Sequence, residues 1–385
     1  MEEAERDDGF LNVLRALRDA ARSVECGEDG EDGPALRALL ALEAAAHDLL
    51  AGDPELHPLC RLLATVRALS LCVGSTAGYE GGGVVGGLRA RCRRRKARRG
   101  IARAAGAVAA EIQAWADREL AARLVAALRE QGGDDARARA LLAELEARLL
   151  GAGAAGRFDA RLQDAVLRHG VFGALEARLG DPGGVGDGCA AAALALVRFN
   201  RDVFVGPVLM GRAVGALVSA AAASHASPAA LRALNGLVAA IRTPLVDELH
   251  ARGELPRLVA LLCAPADQSS ARAPALELCL RVAYYGRREV LDALLAEGLV
   301  KRLLCLQRTA AGADTTDTAD EEEEEKTMVA SAVARLAVQV EAGQGLQPRE
   351  KRAAKLEILR RVREAAASPA EEAAVLTSVL WGATP

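Results

Sequence analysis

Residues Ala275 to Leu306 read ALELCLRVAYYGRREVLDALLAEGLVKRLLCL, and their spacing decides the fold. Leu276, Cys279, Leu280 and Ala283 recur at helical spacing and mark one helix; Val290, Leu291, Leu294 and Leu295 mark the next. Tyr285-Gly286 punctuates between them. Gly298 stands where the second helix needs a left-handed residue to end, and a third helix starts at Leu299. Three short helices with a single apolar face cannot bury that face alone, so the unit needs neighbours of its own kind.

Self-alignment supplies those neighbours. EGLVKRLLCL from Glu297 aligns with GELPRLVAL from Gly253, so that Gly298 matches Gly253 and Leu303 matches Leu258, a shift of 45. LPRLVAL at Leu255 aligns with VGALVSA at Val214, a shift of 41, and VGALVSA aligns with FGALEAR at Phe172, a shift of 42. The spacing predicts an array of helical units, with Leu258 and Leu303 in the core between adjacent ones.

Composition agrees. The 385 residues are 51% apolar but only 3% aromatic, so the bulk is Ala, Leu and Val, which favour helix and close helix approach. A net charge of −3 makes no whole-chain case for nucleic acid or an anionic membrane surface. Five Lys stand against forty-four Arg among the 49 basic residues, a bias that discounts Arg richness as a signal. The eight Cys show no C-x-x-C pair and no His at ligand spacing, so they read as buried free thiols of a reducing compartment, Cys279 and Cys305 on apolar helical positions among them. The acidic opening MEEAERDDGF lacks the order of a signal peptide. The expected location is the cytoplasm, with the nucleus added if the basic run described below is a targeting signal.

The same residues carry a family resemblance. ALELCLRVAYYGRREVLDALLAEGLVKRLLCL and AALRALNGLVAAIRTPLVDELHARGELPRLVALL from Ala229 resemble armadillo repeats, with three clear repeats in 187–308 and weaker ones on each side. The resemblance extends to plant armadillo proteins, including the repeat half of plant U-box ubiquitin ligases. It implies an all-α fold, a right-handed superhelix of three-helix units, whose concave groove binds extended peptides or partner proteins. In the nuclear-import members a Trp and an Asn repeat along the groove helix and hold a basic peptide. Here the Trp positions hold Ala191, Arg232 and Glu277, and the Asn positions hold Ala195, Gly236 and Arg281, so that ladder is gone. Arg232 and Arg281 in this register, with Arg242, Arg287 and Arg288 nearby, imply a groove for acidic or phosphorylated segments; alternatively they are solvated Arg of an Arg-rich chain. No "CPI" segment of the U-box kind precedes the repeats, so ligase activity is not expected of this chain. A substrate-recognition or regulatory subunit of a ubiquitin-ligase complex remains the alternative to a plain scaffold.

Residues 1–131 read as an N-terminal helical bundle. Its first helix, with Phe10, Leu14, Leu17 and Ala21, follows Asp7-Asp8 as cap. A second starts at Pro34. A third carries Leu59, Leu62, Leu63, Val66 and Leu69, and a fourth Ile101, Val108, Ile112, Trp115 and Leu124. Between the last two lies a Gly-rich loop and basic run, 74–100. GYEGGGVVGGL contains G-x-G-x-x-G at Gly81, Gly83 and Gly86, but helical rather than strand periodicity precedes it, so it reads as a loop and not as a dinucleotide site. RARCRRRKARRG, with Arg93, Arg94, Arg95 and Lys96 at its centre, reads as a nuclear-import signal, an anionic-surface patch, or the solvated first turns of the fourth helix.

Residues 132–385 read as the solenoid: clear repeats in 187–308, an acidic loop at 313–326, and C-terminal capping helices at 327–382. The run Glu321–Glu325 repels itself and stays solvated, or folds over the Arg-bearing groove as an internal competitor. No P-loop, H-E-x-x-H, G-x-S-x-G or kinase signature occurs, and the five His are scattered. The expectation is a non-enzymatic interaction scaffold with no cofactor, no metal and no small-molecule substrate.

Overall fold

The apolar periodicity becomes helix throughout. In the computed structural model, residues 2–26, 33–52, 54–75, 84–130, 134–154, 158–181, 183–223, 227–263, 271–311 and 329–381 are described, and no strand occurs among them. The Gly81 and Gly83 positions and the whole of 313–326 lie outside the described residues. The chain divides into two compact units: Met1–Ala122 with Ala160–His169, and Arg123–Asp159 with Gly170–Pro385.

The first unit is a bundle. It holds α1 (Glu2–Cys26), α2 (Pro34–Ala51), α3 (His57–Ser75), most of α4 (Val84–Arg129) and α6 (Ala160–Arg168). Leu14, Leu17, Leu39, Leu59, Leu63, Val66, Val108 and Ile112 form its core, and Phe10 meets Trp115 edge-on at 5.7 Å. Within that core the Glu43 carboxylate is buried and paired with Arg67 at 2.7 Å, which spares it an uncompensated charge. Two expectations change. Helix α1 begins at Glu2, so Asp7-Asp8 lies inside it and not at its start; the first turn instead holds Glu2, Glu3 and Glu5, where negative charge favours the helix N-terminus. Helix α4 begins at Val84, ahead of the basic run, because four further turns propagate once the helix behind them is packed.

The second unit is an α-solenoid of three-helix repeats, whose helices follow in order. They are α5 (Asp135–Ala154), α7 (Val171–Arg178), α8 (Gly184–Phe199), α9 (Arg201–Met210), α10 (Ala213–Ala221) and α11 (Pro228–Ile241). Next come α12 (Thr243–Ala251), α13 (Leu255–Ala260, extended by a 3₁₀ turn to Cys263), α14 (Arg272–Tyr285), α15 (Arg288–Ala296) and α16 (Leu299–Ala311). Helices α17 (Ala332–Ala342), α18 (Pro348–Ala365) and α19 (Pro369–Trp381) complete it. The sets α9–α11 and α12–α14 each have two short helices and then a longer one, whereas in α15–α17 the middle helix α16 is the longest.

The joint between the short helices is where glycine is required. Gly253 and Gly298, matched by self-alignment, have φ of +70° and +76°, and Gly170 at the corresponding place in the first repeat has +65°. The fourth such joint has Arg212 with φ −96°; there the Glu176 carboxylate accepts from the Arg212 and Ala213 amides at 2.6 and 2.9 Å and caps α10 instead.

Burial follows the predicted period. Leu276, Cys279, Leu280, Ala283, Val290, Leu291, Leu294 and Leu295 are all buried, and Leu258 and Leu303 are 2% and 0% exposed. Hydrogen bonds repeat at the same interval: Asn235 Nδ2 to Glu277 and Thr243 Oγ1 to the Tyr285 carbonyl span 42 residues, and Arg252 Nη2 to the Leu209 carbonyl spans 43. The stack is therefore held by polar contacts in register as well as by apolar burial.

Cysteine placement is mixed. Cys189 and Cys279 are buried, and burial pushes both thiols up to about 12. Cys305, expected inside, is exposed, because its neighbours Leu303, Leu304 and Leu306 fill the buried face of α16.

Candidate functional site

The long helices α5, α8, α11, α14 and α17 pack side by side, each against the next, and make a ladder. What this ladder presents depends on a few positions per helix. On α14, Glu277, Arg281, Tyr284 and Tyr285 fall at i, i+4, i+7 and i+8, which puts them on one stripe, while Leu276, Cys279 and Ala283 occupy the buried one. On α17, Arg335 and Gln339 fall at i and i+4 on the facing stripe. Between the two helices lies a cleft of about 250 Å³ lined by Glu277, Leu280, Arg281, Tyr284, Tyr285, Arg335 and Gln339.

The cleft is rich in donors. Arg281 and Arg335 are both partly exposed and form no ion pair or side-chain hydrogen bond with any described residue. The one carboxylate, Glu277, is held by Asn235 Nδ2 of α11 at 3.1 Å, so it is tied to the neighbouring repeat and not to Arg281 one turn away. The floor is Leu280, buried. The rim is fixed by backbone: the amides of Gln344 and Gly345 donate to the Tyr284 carbonyl at 2.8 and 3.4 Å, and the Tyr284 and Tyr285 rings meet edge-to-face at 4.9 Å. Gly345 is obligatory here, since a Cβ would lie 2.0 Å from the Gly286 carbonyl oxygen.

Towards α8 the ladder changes character. Ala191 and Ala195 occupy the register positions, and α8 approaches α11 so closely that a Cβ on Gly236 would lie 2.6 Å from a Leu194 methyl. That part is small and apolar. Arg232, on α11, is exposed and makes no ion pair with a described residue. The cations of the ladder thus run Arg232, Arg281, Arg335 over three consecutive helices.

The five Arg singled out from sequence separate into two sets. Arg232 and Arg281 stand on the ladder. Arg242 and Arg287 sit instead at the corners that follow α11 and α14, and Arg288 starts α15. Arg287 pairs with Asp247 at 3.4 Å and Arg288 with Asp292 at 3.4 Å, so their charges are matched locally. Arg242 is exposed and has φ +68°, a left-handed backbone uncommon for a residue with a side chain. Sequence reasoning missed Arg335 and Gln339, which continue the Trp and Asn register 58 residues after Glu277 and Arg281. Helix α17, read as a capping helix, is the ladder helix of the last repeat; the inserted residues before it lengthen the interval and hide the match.

Elsewhere, Arg93, Arg95 and Lys96 are exposed on α4 in the first unit, and Arg94 is partly exposed. Among the described residues no group of His, Cys, Asp or Glu is placed to hold a metal ion, and no single helix is long and apolar enough to cross a membrane.

No protein-family model matches the sequence, and no curated protein matches it. Solved structures do. An engineered protein of the Northeast Structural Genomics Consortium is similar over 68% of this chain and 95% of its own, at 18% identity and a TM-score of 0.46. A designed armadillo repeat protein in complex with the peptide (KR)4 is similar over 68% and 99%, at 17% identity and 0.42. A further engineered protein covers 97% of this chain and 98% of its own, at 16% identity and 0.42.

Proposed function

We propose that the chain is a non-enzymatic adaptor whose ladder of long helices binds an extended segment of a partner protein, with acidic or phosphorylated side chains facing Arg232 and Arg281. One observation carries the reading: three consecutive ladder helices each present a guanidinium that no described residue pairs, beside a cleft able to hold a side chain. Unpaired cations in a row have no part in holding the fold, since surface charges contribute little to stability. They do give complementarity and faster association with an anionic segment. Binding of this kind is the sum of several modest contacts along the array rather than one deep pocket.

The test is affinity capture from an extract of cells that express the protein, with the full chain as bait beside Arg232→Glu/Arg281→Glu. Partners held by the wild type and lost from the double variant support the ladder. Equal retention by both rejects it and moves attention to the basic stretch of α4.

A further inference from the structure

We propose that the cleft between α14 and α17 is a phosphate-reading subsite, built to take one phosphorylated Ser or Thr side chain of the bound segment; this rests on the ladder being the binding face. Three features select a phosphomonoester over a carboxylate. The first is charge. Arg281 and Arg335 bring two positive charges to the cleft and Glu277 returns one negative; Arg232, outside the lining on the neighbouring α11, adds a third, so the ladder face around the cleft carries two net positive charges. A phosphomonoester carries about −1.5 to −2 at pH 7, whereas one carboxylate carries a single charge.

The second is the disposition of donors. Arg281 and Arg335 come from different helices on either side of the cleft, and neither guanidinium is paired by a described residue. A carboxylate has two oxygens and one charge, which a single guanidinium fork already matches, so a second Arg gains less from it. A phosphate has three terminal oxygens and accepts two forks at once. Tyr284, Tyr285 and Gln339, residue types that carry neutral donors, belong to the same lining. Glu277 is kept from filling the site itself by its bond to Asn235 at 3.1 Å.

The third is space. About 250 Å³ above the buried Leu280 side chain exceeds what a lone carboxylate fills, and the α8 register positions Ala191 and Ala195 add no charge to oppose the flanking residues of a segment. Bidentate guanidinium recognition requires the fork, so Lys in place of Arg keeps the charge but not the subsite.

The experiment uses the full chain, immobilised, and three degenerate 11-residue peptide libraries that differ only in a fixed central residue: phosphoserine, Ser or Glu. Expected is retention of the phosphoserine library at least about tenfold above the other two, a difference of about 1.4 kcal/mol. That preference is lost in Arg281→Gln/Arg335→Gln, reduced in Arg281→Lys/Arg335→Lys, and unchanged in Arg287→Gln/Arg288→Gln, whose parent residues are paired locally. Circular dichroism and thermal melting of each variant establish that it is folded. Equal retention of all three libraries overturns the phosphate subsite and leaves ladder binding standing. Preference for phosphoserine that survives in Arg281→Gln/Arg335→Gln overturns the assignment to this cleft. Retention of no library overturns the subsite and the ladder reading together.

Discussion

The glycines at the joints between short helices allow a signed test of the repeat frame. Gly298 has φ +76°, and a Cβ built on it meets no atom within 4 Å. Replacing it with Ala therefore adds no clash and isolates the backbone cost, about 1–2 kcal/mol for an L-residue held in the left-handed region. Gly151, near the end of α5, also has open space around a Cβ but ordinary helical backbone, so Ala there gains about 0.5–1 kcal/mol. Both substitutions stiffen the unfolded chain alike, and that contribution cancels when the variants are compared. Gly298→Ala should thus be less stable than Gly151→Ala by about 1–2 kcal/mol. Gly253→Ala, with φ +70°, should behave as Gly298→Ala does. Urea unfolding followed by helical circular dichroism, fitted with a shared slope, gives the difference. If the two joint variants are as stable as Gly151→Ala, the joints are not left-handed and the frame drawn from them is wrong.

Three further outcomes follow from the same packing. Leu258→Ala and Leu303→Ala, each removing a buried side chain between repeats, should cost about 2–5 kcal/mol apiece in urea unfolding. Gly345→Ala must push against the Gly286 carbonyl and should cost about 1–3 kcal/mol, with loss of peptide binding at the α14–α17 cleft beyond what the lower stability explains. Cys189 and Cys279, held up to about 12, should stay unlabelled by a thiol reagent at pH 8 while the exposed Cys263 and Cys305 react, and urea should unmask them. The sign with pH follows: these thiols keep their protons in the fold when the unfolded chain loses them, so their contribution is intact below about pH 9 and declines from there towards about 12.

Much of the solenoid was readable because its determinants are local. Leu276 to Leu295 show the helical period directly, and Gly253 and Gly298 mark joints that need a left-handed residue. The register positions Arg232 and Arg281 were readable for the same reason, since a fixed interval carries one ladder helix onto the next. Where the interval breaks, the reading failed. The residues inserted ahead of α17 moved Arg335 and Gln339 out of the expected spacing, so half of the cleft lining was not seen. Nearness in sequence also misled: Arg287 and Arg288 follow the ladder helix by only a few residues, but the corner turns them towards Asp247 and Asp292. Asn235 gave no sequence signal at all. Its role comes from a neighbour 42 residues away, and only packing brings Glu277 within 3.1 Å of it.

The central claim, that the ladder face holds the partner, is tested most directly by site-specific photo-cross-linking in an extract. A photoreactive residue replaces either Gln339, on the cleft lining, or Met210, which is 88% exposed at the end of α9 and outside that lining. The account predicts a discrete covalent adduct from position 339, suppressed by Arg281→Glu, and none from position 210. Adducts from position 210 alone, or equally from both, would contradict it.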